Sequence, residues 1–429
     1  VIPTPLKGSL WEAIAPPPPP CPPLEGEATT DVAVVGAGFC GLSCALHLAE
    51  KGVPVTVLEA EEPGFGASGR NNGHCTPDWL YRRPDDLARW FPPEHAERLN
   101  ALQGRAGDLV FSLIRNHQIT CDAVQCGTLN VVTKPENVAR LAAKHAQWSR
   151  RGFKVDWLEG DELRRHVASE RYRAGVVYRD GGHLNPLGYA RGLARAAQAA
   201  GAKIHGGSRV TALAREGDGW RVATRAGSIR ARAVVLATNA HRGGLWPGRD
   251  SAFHLVRAHG LTSEPLPEAT RRAVLPVDHA FAETLEGELF FFFDPAGRLV
   301  TGGGVGFATN DTLERAAARF RRVVRGTFPG LAEARFDRYW QGWIDYVPRR
   351  IVGVYEPAPD LFVAIGFSGR GVPTATAVGR DIALTIASGD KRSSAFPLGP
   401  LPTLVLPRLA EVLIEGVVMP WHNLRSRLR

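Results

Sequence analysis

The chain has 429 residues, 44% hydrophobic and 22% charged, with six Cys and a formal net charge of +9. That length allows two or three domains whose cores need no disulfide or metal to hold them. Of the 52 basic residues only seven are Lys, and the Arg are scattered with no run of five or six; this excludes a nucleic-acid-binding protein and leaves a field that draws in anionic substrates or phosphates.

Residues 1–30 hold Pro16 to Pro20 and then Pro22 and Pro23, a run that forms neither helix nor central strand. They read as an extended arm lying on the surface or against a partner, with Ser9-Leu10-Trp11 docking by its ring. Asp31 to Val35 reads as a buried strand. A Gly-rich turn follows, then a helix with Leu42, Ala45, Leu46 and Ala49 on one face, closed by Lys51-Gly52. Val55 to Leu58 is the second strand. Helices are predicted over 86–116, 135–150 and 187–200, and strands over 204–213, 220–224, 228–231 and 233–237. The turn Asp294-Pro295-Ala296-Gly297 predicts a hairpin between 289–293 and 298–301. A helix over 311–326, a strand over 361–365 and a helix over 374–388 complete the pattern. The segment from Leu404 to Trp421 is broken by Pro407, Arg408, Glu411 and Glu415, so it reads as an amphipathic helix and not as a membrane span. Helix and strand alternate at both ends with an antiparallel-looking stretch between, which predicts a discontinuous α/β cofactor domain plus an α+β substrate domain. The six Cys form no CxxC pair, as expected of free thiols in a reducing, cytoplasmic setting. The His show no metal-ligand spacing, so no metal site is expected.

Three segments carry chemistry. Gly36-Ala37-Gly38-Phe39-Cys40-Gly41 follows a strand and opens a helix. Its glycines allow a tight turn, close approach of the backbone to a pyrophosphate, and close helix–strand packing; the helix N-terminus then faces the phosphates. Glu59, followed by Ala60, ends the next strand and would accept hydrogen bonds from ribose hydroxyls. This unit does not separate FAD from NAD. Gly64-Phe65-Gly66-Ala67-Ser68-Gly69-Arg70-Asn71-Asn72-Gly73 cannot be regular structure; its small residues, bare N–H groups and single guanidinium suit a loop along a pyrophosphate and a flavin's sugar-like chain. Gly366-Phe367-Ser368-Gly369-Arg370-Gly371-Val372, with Pro373 after it, links a strand to a helix and offers a second N-terminus for negative charge. Each of the last two alone also fits an ordinary turn.

Together these segments, with Ser9 to Ala13, Val234 to Ala240 and Thr376 to Arg380, resemble the D-amino-acid-oxidase-like family of FAD-dependent oxidoreductases, and within it the γ-glutamylputrescine oxidoreductase branch. The resemblance implies a Rossmann-like FAD-binding domain of glutathione-reductase type (31–85, 187–249 and 351–400), a substrate domain on a large mixed or antiparallel sheet (86–186 and 250–350), and a C-terminal tail (401–429). It implies that Gly36 to Gly41 and Glu59 hold the ADP half and that Ser68 to Gly73 run beside the ribityl chain and ring. Val210 would lie over the adenine, Thr238 and Asn239 beside the cofactor, and Gly369 to Pro373 along the pyrimidine edge. The implied reaction is hydride transfer from the C–H beside a neutral amine to flavin N5, then imine hydrolysis, with no catalytic triad required. Alternatives are a flavin dehydrogenase for a non-amine substrate and an FAD-binding subunit without turnover. The partners implied are a small amine or amino-acid-like substrate and O2 or another acceptor, with homo-oligomerisation left open.

The substrate-side candidates are Tyr346, Arg349, Arg370 and His183; either Arg could clamp a carboxylate with two parallel bonds. His74 and Cys75 are candidates for a covalent flavin link. The chain departs from the family at Asn72, where Gly is frequent, at Ile344-Asp345-Tyr346-Val347-Pro348-Arg349-Arg350, where an Asp-Arg-x-Pro stretch is frequent, and at Gly302-Gly303-Gly304, where many members carry a basic residue that helps activate oxygen.

Overall fold

The structure, a computed structural model, describes residues 6, 8–79, 82–285, 289–305 and 312–403. Most of the expected C-terminal tail lies outside the described residues.

Val32 to Val35 are buried side by side, so their strand needs neighbours at both edges and cover on both faces. Gly26–Val35 lies between Val55–Leu58 and Gly227–Leu236, and the parallel set extends to Lys203–His205 on one side and Leu361–Ile365 on the other. Gly353–Ala358 closes the second edge as an antiparallel strand. Val32 and Val34 pack into a core shared with the helices Phe39–Glu50, Pro186–Ala199 and Val372–Ser388. Ala33 and Val35 face the other way, toward Trp220 and Val222 of an antiparallel meander, Val210–Glu216 and Gly219–Thr224.

The second sheet has eight strands in the order Phe336–Tyr346, His254–Pro265, Arg298–Val305, Phe290–Phe293, Ala280–Glu283, Thr128–Val132, Ala174–Tyr178 and Val155–Glu159. Its pairings are antiparallel except that of Ala280–Glu283 with Thr128–Val132. One face buries Phe281, Phe291 and Phe328 in mutual contact, with ring centroids 4.9–6.0 Å apart. The predicted fold class, a Rossmann-like α/β half joined to an α+β half on a large mixed sheet, is what the chain adopts.

Several boundaries differ from the sequence reading. The first strand starts at Gly26, because residues 26–30 pair in parallel with 227–231. The predicted strand 204–213 is two pieces, parted at Gly206-Gly207, where Gly207 has φ 59°. The first piece edges the parallel sheet and the second begins the meander. Strands 228–231 and 233–237 are one strand. The predicted helix 86–116 is a 3-10 turn, Pro84–Arg89, and an α-helix, Pro93–Asn116, separated where Pro92-Pro93 removes two donors. The proline arm lies on this chain's own helix Pro186–Ala199: Arg191 donates to the carbonyl of Pro16 at 2.8 Å, Arg195 to that of Pro17, and Gln198 to that of Pro20 at 2.8 Å. No helix among the described residues is long and apolar enough to cross a membrane.

Behind the two sheets sits a buried ion pair. Lys144 Nζ lies 2.5 Å from Asp78 Oδ2 and also donates to the carbonyl of Trp79 at 2.6 Å, while Trp148 Nε1 donates to Asp78 Oδ1 at 3.0 Å. Removing one partner leaves the other charge buried without compensation, which typically costs about 3–5 kcal/mol. Lys144→Met is therefore expected to lower stability by about that amount, read as a lower urea midpoint at unchanged slope.

Candidate active site

Between the two sheets lies a cavity of about 1080 Å³, just above the roughly 300–1,000 Å³ of small-molecule sites. Its first wall is built by close backbone approach. Gly36 turns the chain out of its strand at φ 104°, and a Cβ there would lie 2.8 Å from the carbonyl oxygen of Ala237. A Cβ at Gly41 would overlap the carbonyl of Gly36, so only Gly lets the helix start this close to the strand. Gly38 caps Phe39–Glu50 without a side chain. The first-turn residues Gly38, Phe39 and Cys40 line the cavity. Glu59 accepts from the Ala37 N–H at 2.7 Å and the Glu61 N–H at 3.0 Å, which sets its carboxylate at the end of the second strand. Ala60, Val210, Thr238 and Asn239 complete this end.

The 66–73 loop continues the wall. Phe39 N–H donates to Ser68 Oγ at 3.0 Å, tying loop to helix. Asn71 holds the loop's curve, donating to the carbonyls of Ala67 and Ser68 at 3.2 and 3.0 Å and accepting from the Gly73 N–H at 2.8 Å. Gly66, Ala67, Ser68, Arg70, Asn71 and Asn72 face the cavity. Ala37, Gly41, Gly69 and Gly73 do not line it; the three glycines shape it, since a Cβ at Gly69 or Gly73 would overlap a backbone carbonyl.

A second helix N-terminus meets the first. Gly371 caps Val372–Ser388 without a side chain, and Gly369, Arg370, Gly371 and Val372 line the cavity. Gly366 and Pro373 stand just outside the lining. The two helices cross closely: a Cβ at Gly379 would overlap the carbonyl of Cys40, and Ser43 Oγ donates to the carbonyl of Thr376 at 2.7 Å. Two positive dipole ends thus converge on one space.

Of the substrate-side candidates, Tyr346 and Arg370 line the cavity and Arg349 and His183 do not. Arg349 turns away to donate to the Tyr355 hydroxyl and lies over the Phe91 ring. His183 is 2% exposed and stacks on Phe292 at 4.1 Å between centroids. His74 lines the cavity, with burial pushing its pKa down to about 4, so it is neutral. Cys75 is buried outside the lining, and desolvation pushes its thiol pKa up.

Two residues escaped the sequence reading. Asp345, on Phe336–Tyr346, accepts from the N–H groups of Gly366 and Phe367 at 2.5 and 3.1 Å and from Asn239 Nδ2 at 3.0 Å. It therefore ties the second sheet to two cofactor segments. Its sequence signal is the stretch Asp345-Tyr346-Val347-Pro348, which keeps the Asp and Pro of the Asp-Arg-x-Pro pattern that the resemblance implies. His259 lines the cavity opposite Gly303 in the ladder, and a Cβ at Gly303 would lie 3.1 Å from its Cε1. The imidazole occupies room the glycine leaves. Likewise a Cβ at Gly302 would overlap the Asn72 carboxamide. The Asn72 side chain thus fills the space that Gly302 leaves open.

A glycine-walled cradle, two helix N-termini with glycine at the cap and a carboxylate at the second strand's end fit the phosphates and ribose of FAD. Gly38→Ala puts a Cβ 2.9 Å from Ser68 Oγ and narrows the cradle; FAD affinity is expected to fall at least about tenfold with the apoprotein's melting temperature little changed, measured by flavin titration.

Asp345 is buried, and desolvation pushes its pKa up to about 6 from 3.8, against the bonds it accepts from Gly366, Phe367 and Asn239 and the charge of Arg249. A raised carboxylate favours its neutral form, so its contribution is present below 3.8 and lost as pH rises through about 6. The stability of the parent relative to Asp345→Asn is expected to decline over that window and then level, measured by urea unfolding of the apoproteins.

The family model described as DAO, FAD dependent oxidoreductase, matches residues 31–384. The chain is 30% identical over 409 residues to gamma-glutamylputrescine oxidoreductase of Escherichia coli (strain K12), covering 94% of this chain and 95% of that one. It is 25% identical over 324 residues to glycine oxidase of Bacillus licheniformis, covering 73% and 80%. Among solved structures, glycine oxidase from Geobacillus kaustophilus superposes with a TM-score of 0.67 at 19% identity, covering 84% of this chain and 95% of that one. L-proline dehydrogenase from P. horikoshii superposes with 0.69 at 20% identity, covering 85% and 95%. These two structures share the fold. The chain belongs to the DAO family of FAD-dependent oxidoreductases, with FAD as its cofactor.

Proposed function

We propose that this chain oxidises the C–N bond of an amine or amino-acid-like substrate, releasing an imine that water hydrolyses. The observation that carries the reading is the 30% identity to gamma-glutamylputrescine oxidoreductase along nearly the full length of both chains, because it runs through the second sheet as well as the dinucleotide half. When bound, FAD supplies the acceptor for the hydride that leaves the carbon beside nitrogen.

The chain's own residues orient that carbon. The cavity runs past the cofactor cradle onto His254–Pro265, Arg298–Val305 and Phe336–Tyr346, where His259, Trp343 and Tyr346 face it. Tyr346 is held by Arg350, whose Nε donates to the phenol oxygen at 2.6 Å. Arg370 lines the cavity beside the second helix N-terminus, and its planar fork suits a substrate carboxylate. All six Cys are free thiols, which supports a reducing, cytoplasmic setting.

The test is anaerobic bleaching of the FAD-loaded protein by a panel of amines, polyamines, their γ-glutamyl conjugates and amino acids. Bleaching by one class is expected, and the rate at which colour returns in air separates O2 from another acceptor. A fully loaded protein that no panel member reduces contradicts the reading.

A further inference from the structure

Two indole N–H groups, from distant parts of the chain, reach neighbouring carbonyls of the 66–73 loop. Trp11 Nε1 donates to the carbonyl of Asn71 at 2.8 Å, and Trp340 Nε1 donates to the carbonyl of Arg70 at 2.8 Å. The two rings meet edge to face, with centroids 5.9 Å apart at 72°. Trp11 is 1% exposed and Trp340 6%. Room for Trp340 is cut by Gly260, its ladder partner, where any Cβ would overlap the indole.

The two indoles do different structural jobs. Trp340 belongs to Phe336–Tyr346, a strand paired along its length with His254–Pro265. Trp11 sits on the five-residue helix Leu10–Ile14. A helix that short does not hold itself together in water. It is capped by Ser9, whose Oγ accepts from the Glu12 N–H at 3.1 Å, and is held by packing of Leu10 and Trp11 against Leu187, Phe292 and Trp340. One indole is thus fixed by a sheet, while the other arrives with an N-terminal segment that can dock or leave.

Both bonds turn carbonyls of consecutive residues away from the cavity that Arg70 and Asn71 line. A peptide at this loop that rotated the other way would aim a carbonyl oxygen at a space built for phosphate and the electron-rich edge of a flavin. We propose that Trp11 and Trp340 are positioning residues for FAD: together they form a clamp that fixes the loop's peptide orientation, and docking of the N-terminal helix is coupled to FAD binding. By linkage, FAD then holds the N-terminal helix in place as strongly as the helix holds FAD.

The test uses the full chain with Trp11→Phe and Trp340→Phe, which keep a ring and lose the N–H. Each removes the indole donor from a loop carbonyl, part-buried at Asn71 and buried at Arg70. FAD dissociation constants, from titration of apoprotein, are expected to rise about tenfold. The melting temperature of the apoprotein is expected to fall by no more than about 2–4 °C. A glutamate-specific protease supplies the second readout, since the exposed Glu12 is cleaved only when Leu10–Ile14 leaves its seat. In the parent chain, saturating FAD is expected to slow that cleavage by about the factor that the variant loses in affinity. Variants that bind FAD as tightly as the parent would overturn the clamp. So would cleavage after Glu12 that FAD leaves unchanged in the parent chain, a result that needs no variant to fold.

Discussion

A Cβ at Gly41 would overlap the carbonyl oxygen of Gly36, and one at Gly379 would overlap that of Cys40. These two close approaches draw the end of the first strand, the start of Phe39–Glu50 and the flank of Val372–Ser388 together. Nothing larger than hydrogen at those positions allows it. As a result two helix N-termini, neither capped by a side chain of its cap residue, open onto one space. Their free N–H groups and dipole ends make that space favourable to negative charge before any ligand arrives. The cradle is therefore a consequence of packing distance. The scattered Arg and net charge of +9 add a long-range field, and the local selectivity comes from backbone.

The second constraint is the tie between the halves. Asp345 brings a carboxylate out of water and satisfies it with two backbone N–H groups and one carboxamide, all from the cofactor half. Ser368 reinforces the joint: its N–H donates to the carbonyl of Asp345 at 3.0 Å, and its Oγ accepts from the Val347 N–H at 3.1 Å. Ser368 does this at φ 51°, a left-handed conformation that costs energy outside Gly and persists where surrounding bonds fix it. The strand Phe336–Tyr346 is thus fixed to the segment 366–368 at the cavity. Such coupling suits a reaction that depends on holding a C–H bond against a ring to within a fraction of an ångström.

What could be read in the sequence follows from what is local. Gly36 to Gly41, the 66–73 loop and Gly366 to Val372 are contiguous, and each carries its reason in a few adjacent residues. The strands His254–Pro265 and Phe336–Tyr346 were not legible, because one face borders a cavity that takes His259, Arg257 and Trp343. A strand with such a face shows no clean alternation of apolar and polar residues. Arg349 and Tyr346 look equivalent in sequence, three positions apart, yet the turn after Tyr346 sends Arg349 to Tyr355. His183 pairs directly with His74 in a two-stranded ladder, so the two imidazoles share a face and both pack on Phe292, yet only His74 reaches the cavity lining, a difference of depth that the sequence does not carry. Trp11 could be read as an anchor; its target, a loop carbonyl 60 residues away, could not.

The most direct test is a crystal structure of the FAD-loaded protein with a non-reacting amine or amino-acid analogue. The pyrophosphate is predicted over Gly36 to Gly41, the ring between the 66–73 loop and residues 369–372, and the analogue between the ring and the wall bearing His259 and Tyr346. A ring that lies elsewhere, or an analogue seated away from that wall, would contradict the account.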